Sequence, residues 1–107
     1  MCGIAGFIGK KTYFPKKENI ELCLKAMHLR RGPDAYGNKT VHKKDYSFTF
    51  LHSRLSLIDL KYRSNQPMED SQGIISFNGE IYNYLELKQI CEERGAKFET
   101  SSDTEVL

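Results

Sequence analysis

No apolar run in this 107-residue sequence approaches the roughly 20 residues that cross a bilayer, and its first residues lack the basic-then-apolar pattern of a secretory leader. No membrane association is expected, and the chain reads as cytoplasmic. Charge of one sign is lacking too. Sixteen basic residues face fourteen acidic ones, and the lysine pairs at 10–11, 16–17 and 43–44 are scattered, so no stripe for nucleic acid is laid out. Cysteine is sparse and odd in number: Cys2, Cys23 and Cys91 have no C-x-x-C spacing, which argues against a disulfide framework and against a zinc site, so no metal is expected. No glycine-rich phosphate loop of either common type occurs. The length allows one domain at most.

The chain that remains has an ordinary globular composition, with 39% hydrophobic and 28% charged residues. Ile4 to Ile8, bounded by Gly3 and Gly9, reads as a buried strand. Asn19 is placed to cap a helix over about 20–29, with Ile20, Cys23, Leu24 and Met27 on one face and Arg31-Gly32-Pro33-Asp34 as its stop. One or two strands lie between 46 and 58, followed by a polar connection from Asp59 to Gln72. A strand at 73–77 leads into Asn78-Gly79, the strongest turn signal present, with 80–82 as a possible return strand. Asn83 and Glu86 have capping-box spacing before a helix over about 84–94, which Gly95 stops. After a short strand at 97–99, Ser102 and Glu105 repeat the capping-box spacing at the start of another helix. Strands are thus interleaved with helices in one incomplete domain.

Several residues suit chemistry, each with a plain structural alternative. Cys2 follows Met1 directly, so removal of Met1 puts a thiol and a free amine on one residue, and an α-amine can take a thiol proton near neutral pH. Equally, Cys2 is a small hydrophobe. Asn78 and Gly79 offer a side-chain amide beside a backbone N–H, a pair suited to an oxyanion, or else form a hairpin turn. Arg54 can grip a carboxylate through two parallel bonds, or lie in solvent on an edge strand. Glu80 and Asp103 suit an ammonium group, or serve as a cap and a surface charge. His28, His42 and His52 have no metal spacing and read as surface or core histidines, with His52 a candidate base only if the terminal amine is blocked.

Taken together, Met1-Cys2-Gly3-Ile4-Ala5-Gly6, Arg31 to Asp34, Arg54 to Asp59, Gln66-Pro67, Phe77 to Tyr84 and Ser102 to Glu105 closely resemble the glutaminase domain of glutamine-hydrolysing asparagine synthetases. These are class II glutamine amidotransferases of the N-terminal-nucleophile hydrolase superfamily. The resemblance implies that Cys2 attacks the side-chain amide of glutamine, that Asn78 and Gly79 form the oxyanion hole, and that Arg54 binds the substrate carboxylate. It further implies that Leu55, Ser56, Leu57 and Ile58 form a substrate-lining strand and that Glu80 and Asp103 lie near the α-amine. The implied fold is α+β, an αββα sandwich of antiparallel sheets, of which residues 1–107 would be the N-terminal portion. ATP and magnesium belong, in that family, to a synthetase domain whose Ser-Gly-Gly-x-Asp-Ser loop is not in this sequence, so that domain or a partner chain supplying it is the implied partner. Arg30 stands where the family often has histidine. The implied activity is glutamine hydrolysis feeding ammonia to asparagine synthesis. Two other readings stand beside it: an amidotransferase of another biosynthetic pathway, and a non-catalytic fragment or subunit that only binds glutamine or a partner chain. The last predicts unpaired sheet edges and an exposed apolar face.

Overall fold

The structure, a computed structural model, describes residues 1–107. Three antiparallel strands form the main sheet: β1 (Gly3–Lys10), β2 (Ala35–His42) and β3 (Tyr46–Arg54), in the order β1-β3-β2. The register sets both Ile4 and Gly37 opposite His52. β3 takes the centre because its alternation supplies two usable faces. Ser47, Thr49, Leu51 and Ser53 are buried on one face, while Phe48 and Phe50 point to the other and remain half-buried.

β2 is not anticipated by the sequence, since Ala-Tyr-Gly-Asn-Lys-Thr-Val-His has no clear apolar alternation. Its ladder to β3 and two cross-strand pairs make it a strand: the Thr40 and Thr49 hydroxyls meet at 2.7 Å, as do His42 Nδ1 and the Ser47 hydroxyl. Long-range pairing here overrides weak local preference.

Helix α1 (Lys17–Arg30) lies against β3 and β2 and starts three residues earlier than expected. Lys16, extended after Pro15, offers its carbonyl to the Asn19 and Ile20 N–H groups, so Asn19 lies inside the helix and does not cap it. Glu18 in the first turn and His28 and Arg30 in the last complement the helix dipole. The helix stops as foreseen at Gly32, whose φ of +92° few other residues adopt; a Cβ there would lie 2.6 Å from the Ser53 and Arg54 backbone. The Arg31–Asp34 turn is thus pressed against the end of β3.

The second half is loosely built. A short hairpin, β4 (Met68–Glu69) with β5 (Ile74–Ile75), is turned by Asp70, whose Oδ1 accepts the Gln72 and Gly73 N–H groups at 2.7 and 2.9 Å. Only two residues of the strand expected at 73–77 form it, and residues 55–58, 80–82 and 97–99 are not strands. Asn78-Gly79 therefore closes no hairpin. Helix α2 (Tyr84–Glu93) comes next, but the Asn83 side chain makes no capping bond. Ser102 does cap, accepting the Thr104 N–H at 3.2 Å at the head of a single 3₁₀ turn, Asp103–Val106. Glu105 does not complete the box; its carboxylate accepts the Glu99 and Thr100 N–H groups, each at 2.7 Å.

Leu24 and Leu51 are the only buried apolar side chains. The accessible surface of 7764 Å² exceeds the roughly 6100 Å² expected of a compact monomer of this mass. The radius of gyration, 15.1 Å, likewise exceeds the expected value of about 13 Å. β1 is an edge strand, and the face that carries Ile4, Ile8, Phe48 and Phe50 is covered only at its His52 end, where Gln66 and Phe77 pack. Ile4 is 51% and Ile8 65% exposed, which corrects the expectation of a buried N-terminal strand. The outer edges of β1 and β2 are unpaired. No helix is long and apolar enough to cross a membrane.

Candidate functional site

Arg54 ends β3 and organises the loop beyond it. It is buried in the central strand, 5% exposed, and not in solvent on an edge. Its Nη1 donates to the Asn65 Oδ1 at 2.9 Å and the Lys61 carbonyl at 3.3 Å, and its Nη2 to the Ile58 and Asp59 carbonyls, at 2.8 Å for Ile58. These bonds curl residues 55–65 into a loop, which is why Leu55 to Ile58 does not continue the strand. Arg54→Ala would remove this buried guanidinium and leave four loop oxygens without their donor, and is expected to destabilise the fold by about 2–3 kcal/mol. A urea midpoint unchanged from wild type would contradict this anchoring.

The loop turns at Asp59, whose φ of +46° is uncommon for a residue other than glycine. Its carboxylate accepts the Ser101 N–H at 2.8 Å and the Lys61 N–H at 3.2 Å and faces Arg63 at 3.4 Å. These bonds, that from Ser101 foremost, hold the Asp59 carboxyl well below the usual carboxylate range. The loop is thereby tied to the segment that carries Asp103.

Opposite this loop lies a cleft of about 420 Å³, within the range of small-molecule sites. Cys2, Arg54, Leu55, Leu57 and Ile58 line it. Asn78, Gly79, Glu80 and Asp103 line it as well. Five separate stretches of chain, Gln66 among them, therefore converge on one space. Ser56 does not line it; the Asp34 carboxylate takes the Ser56 N–H at 2.7 Å from the far side.

The Cys2 thiol sits against the backbone just beyond β3, accepting the Leu55 N–H at 3.3 Å and lying 3.6 Å from the Leu55 carbonyl. Met1 also lines the cleft and is 75% exposed. Asn78, Gly79 and Glu80 are exposed on the cleft wall. Asp103 is buried and accepts the Ile81 N–H at 3.0 Å, which explains why 80–82 makes no return strand. Glu105 is pushed up by burial, but the Glu99 and Thr100 N–H groups and the Thr100 hydroxyl outweigh this and hold it below its ordinary value.

Two further residues, Gln66 and His52, hold the segment that leads into Asn78 and Gly79. Gln66 Oε1 accepts the Phe77 N–H at 2.6 Å, and His52 Nε2 donates to the Phe77 carbonyl at 3.2 Å. His52 is wholly buried on β3 and does not line the cleft, so it is a core histidine and not a base. Its Nδ1 has no partner, which fits a neutral ring protonated on Nε2. Burial above all lowers its pKa, as does nearby Arg54, against the Phe77 carbonyl.

A histidine whose native pKa is depressed binds fewer protons folded than unfolded, so stability falls as pH drops through about 6.5 toward the native value. The lowered carboxylates act only below about pH 4.5, outside this window. The urea midpoint is expected to fall between pH 7.5 and 5.5, and His52→Gln, which keeps a donor for Phe77, is expected to flatten that dependence. An equal slope in the variant would assign the effect elsewhere.

A family model described as "Glutamine amidotransferase domain" matches residues 1–107. Among curated proteins, the chain is 41% identical over 111 residues to "Asparagine synthetase [glutamine-hydrolyzing] 1" of Bacillus subtilis (strain 168), covering 100% of this chain and 17% of that protein. It is 41% identical over 125 residues to "Putative asparagine synthetase [glutamine-hydrolyzing] 2" of Methanocaldococcus jannaschii, covering 100% of this chain and 23% of that protein. It is 38% identical over 112 residues to "Asparagine synthetase [glutamine-hydrolyzing] 2" of Oryza sativa subsp. japonica, again covering 100% and 17%. The chain thus spans about a fifth of the length of these relatives. No solved structure gives a significant match.

Proposed function

The chain belongs to the glutamine amidotransferase domain family, and we propose that its cleft hydrolyses glutamine to glutamate and ammonia, with Cys2 as the nucleophile once Met1 is removed. The observation that carries this reading is the convergence of a thiol, an amide-plus-N–H pair, a guanidinium and two carboxylates on one cleft of about 420 Å³. Glutamine has one reacting carbonyl, one carboxylate and one ammonium group, and these residues match all of them.

With Met1 gone, the Cys2 α-amine takes the thiol proton and Sγ attacks the side-chain amide carbon. Asn78 Nδ2 and the Gly79 N–H receive the charge that develops on the carbonyl oxygen. The C–N bond breaks, the proton passes to the leaving nitrogen as ammonia, and a γ-glutamyl thioester remains. Water, deprotonated by the same amine, attacks the thioester; glutamate leaves and the thiol is restored. Glu80 and Asp103 hold the α-ammonium group. Arg54 meets the α-carboxylate by turning part of its guanidinium from the loop carbonyls it now serves. The apolar walls at Leu55, Leu57 and Ile58 take the methylene chain.

The ammonia would serve asparagine synthesis in a longer protein, as the names of the relatives indicate for them. These 107 residues do not fit ATP and magnesium, having no glycine-rich phosphate loop and no cluster of three metal-ligating side chains, and no step of the hydrolysis runs through them. We further propose that residues 1–107 are the N-terminal portion of an αββα sandwich in which a second antiparallel sheet covers Ile4, Ile8, Phe48 and Phe50. The same exposed face favours a second reading for the chain by itself, binding of glutamine without turnover. Equal release of glutamate and ammonia from the Met1-free chain would support the first reading. Saturable glutamine binding with no release would select the second.

A further inference from the structure

Gln66 is 8% exposed, and both ends of its side-chain amide are used inside the protein. Oε1 accepts the Phe77 N–H at 2.6 Å, one residue before Asn78, and Nε2 donates to the Thr104 hydroxyl at 3.1 Å, one residue after Asp103. Its main chain is seated on β2: the carbonyl oxygen lies where a Cβ at Gly37 would come within 2.6 Å, an approach that only glycine permits. Thr104 is itself 3% exposed, with its N–H held by Ser102. One buried amide therefore links the segment before Asn78 to the segment after Asp103.

We infer that Gln66 is a positioning residue that sets the oxyanion segment, Phe77 to Gly79, and the ammonium-binding segment, Ser102 to Thr104, as one unit. The Phe77 peptide is held at its N–H by Gln66 and at its carbonyl by His52, which leaves the neighbouring peptides little freedom to rotate. Gln66 reaches Thr104 from the same amide, so a shift of either segment breaks a bond to the other. The shared amide turns recognition of the substrate's ammonium group into alignment of the oxyanion donors. Its catalytic consequence rests on the proposed glutamine hydrolysis; the link between the segments does not.

Thr104→Val tests the link from its far end, because Thr104 makes no hydrogen bond to Phe77. Backbone hydrogen exchange of the 107-residue chain is expected to quicken at Phe77 by roughly tenfold in Thr104→Val and in Gln66→Met, while the β1–β3 ladder keeps its wild-type rate. Gln66→Glu should restore slow exchange, since one carboxylate oxygen still accepts from Phe77 and the other accepts from the Thr104 hydroxyl. Unchanged Phe77 exchange in Thr104→Val would overturn the inference, whether or not the chain turns over glutamine. In turnover, Gln66→Met should lower kcat by about 10- to 100-fold with a smaller rise in KM, and Gln66→Glu should recover most of it. Quickened exchange with wild-type kcat and KM would also overturn the positioning role. Absence of turnover in the wild-type chain would count against the proposed function alone, with the exchange rates still deciding the link.

Discussion

Cys2→Ala is expected to reduce glutamine hydrolysis to background, a loss on the order of 10⁴-fold or more, because no other thiol lines the cleft to form the acyl intermediate. Cys23 is exposed on α1 and Cys91 lies on α2, and neither lines the cleft. Retention of Met1 should cost nearly as much without touching the thiol, since the Cys2 nitrogen is then a peptide amide and cannot accept a proton. The two variants separate roles: one removes the nucleophile, the other its base. Glutamate release measured on variants with wild-type hydrogen exchange in the β1–β3 ladder would check this. Full activity in the Met1-retaining form would mean that the base lies elsewhere, although buried His52 does not reach the cleft.

Asn78→Ala should have the next largest effect, a fall in kcat of roughly 100- to 1000-fold with KM changed only a few-fold. An oxyanion donor acts where charge develops in the transition state, so its loss appears in turnover more than in binding. Asn78 is exposed on the cleft wall, and the segment is held through Phe77 and not through the Asn78 side chain, so the substitution should leave the fold intact. Asn78→Asp, which sets a negative charge beside the developing oxyanion, should be at least as damaging. A rise in KM at unchanged kcat would move Asn78 from the oxyanion to the ground-state binding surface.

Much of this site is legible in the residues because the chemistry constrains short local motifs. Cys2 beside Met1, Asn78-Gly79 and Arg31 to Asp34 can be read without knowing what lies opposite them. Helices α1 and α2 are visible for a related reason, since each carries its apolar period and its stop signal within its own length. β2 carries no such signal and is made a strand by its partner, which no local pattern reports. The reverse error occurs at Leu55 to Ile58 and at 80–82, where strand-like residues are claimed by longer-range groups: the Arg54 guanidinium draws in the Ile58 carbonyl, and Asp103 takes the Ile81 N–H. Arg54 looks like a free clamp in sequence, yet its role as loop anchor depends on oxygens up to eleven residues away. Gln66 is harder still. A single Gln-Pro pair says nothing about Phe77 and Thr104, which meet it only after the hairpin and the last turn are in place.

The exposed sheet face bears on how much activity the chain shows by itself. With only Leu24 and Leu51 buried among apolar residues, the elements that hold Cys2 and Arg54 rest largely on backbone ladders and polar bonds. A site held this way is sensitive to what packs on Ile4, Ile8, Phe48 and Phe50, so covering that face should tighten the end of β3 that positions Cys2.

The most direct test of the glutamine site is the intact mass of the purified chain before and after incubation with a diazo-ketone analogue of glutamine, with the adduct located by peptide mapping. A nucleophilic Cys2 in this cleft predicts a mass lacking Met1, then one stoichiometric adduct on Cys2 that excess glutamine prevents. A Met1-free chain that takes no adduct, or takes it equally at Cys23 or Cys91, would contradict the assignment of the cleft as a glutamine site.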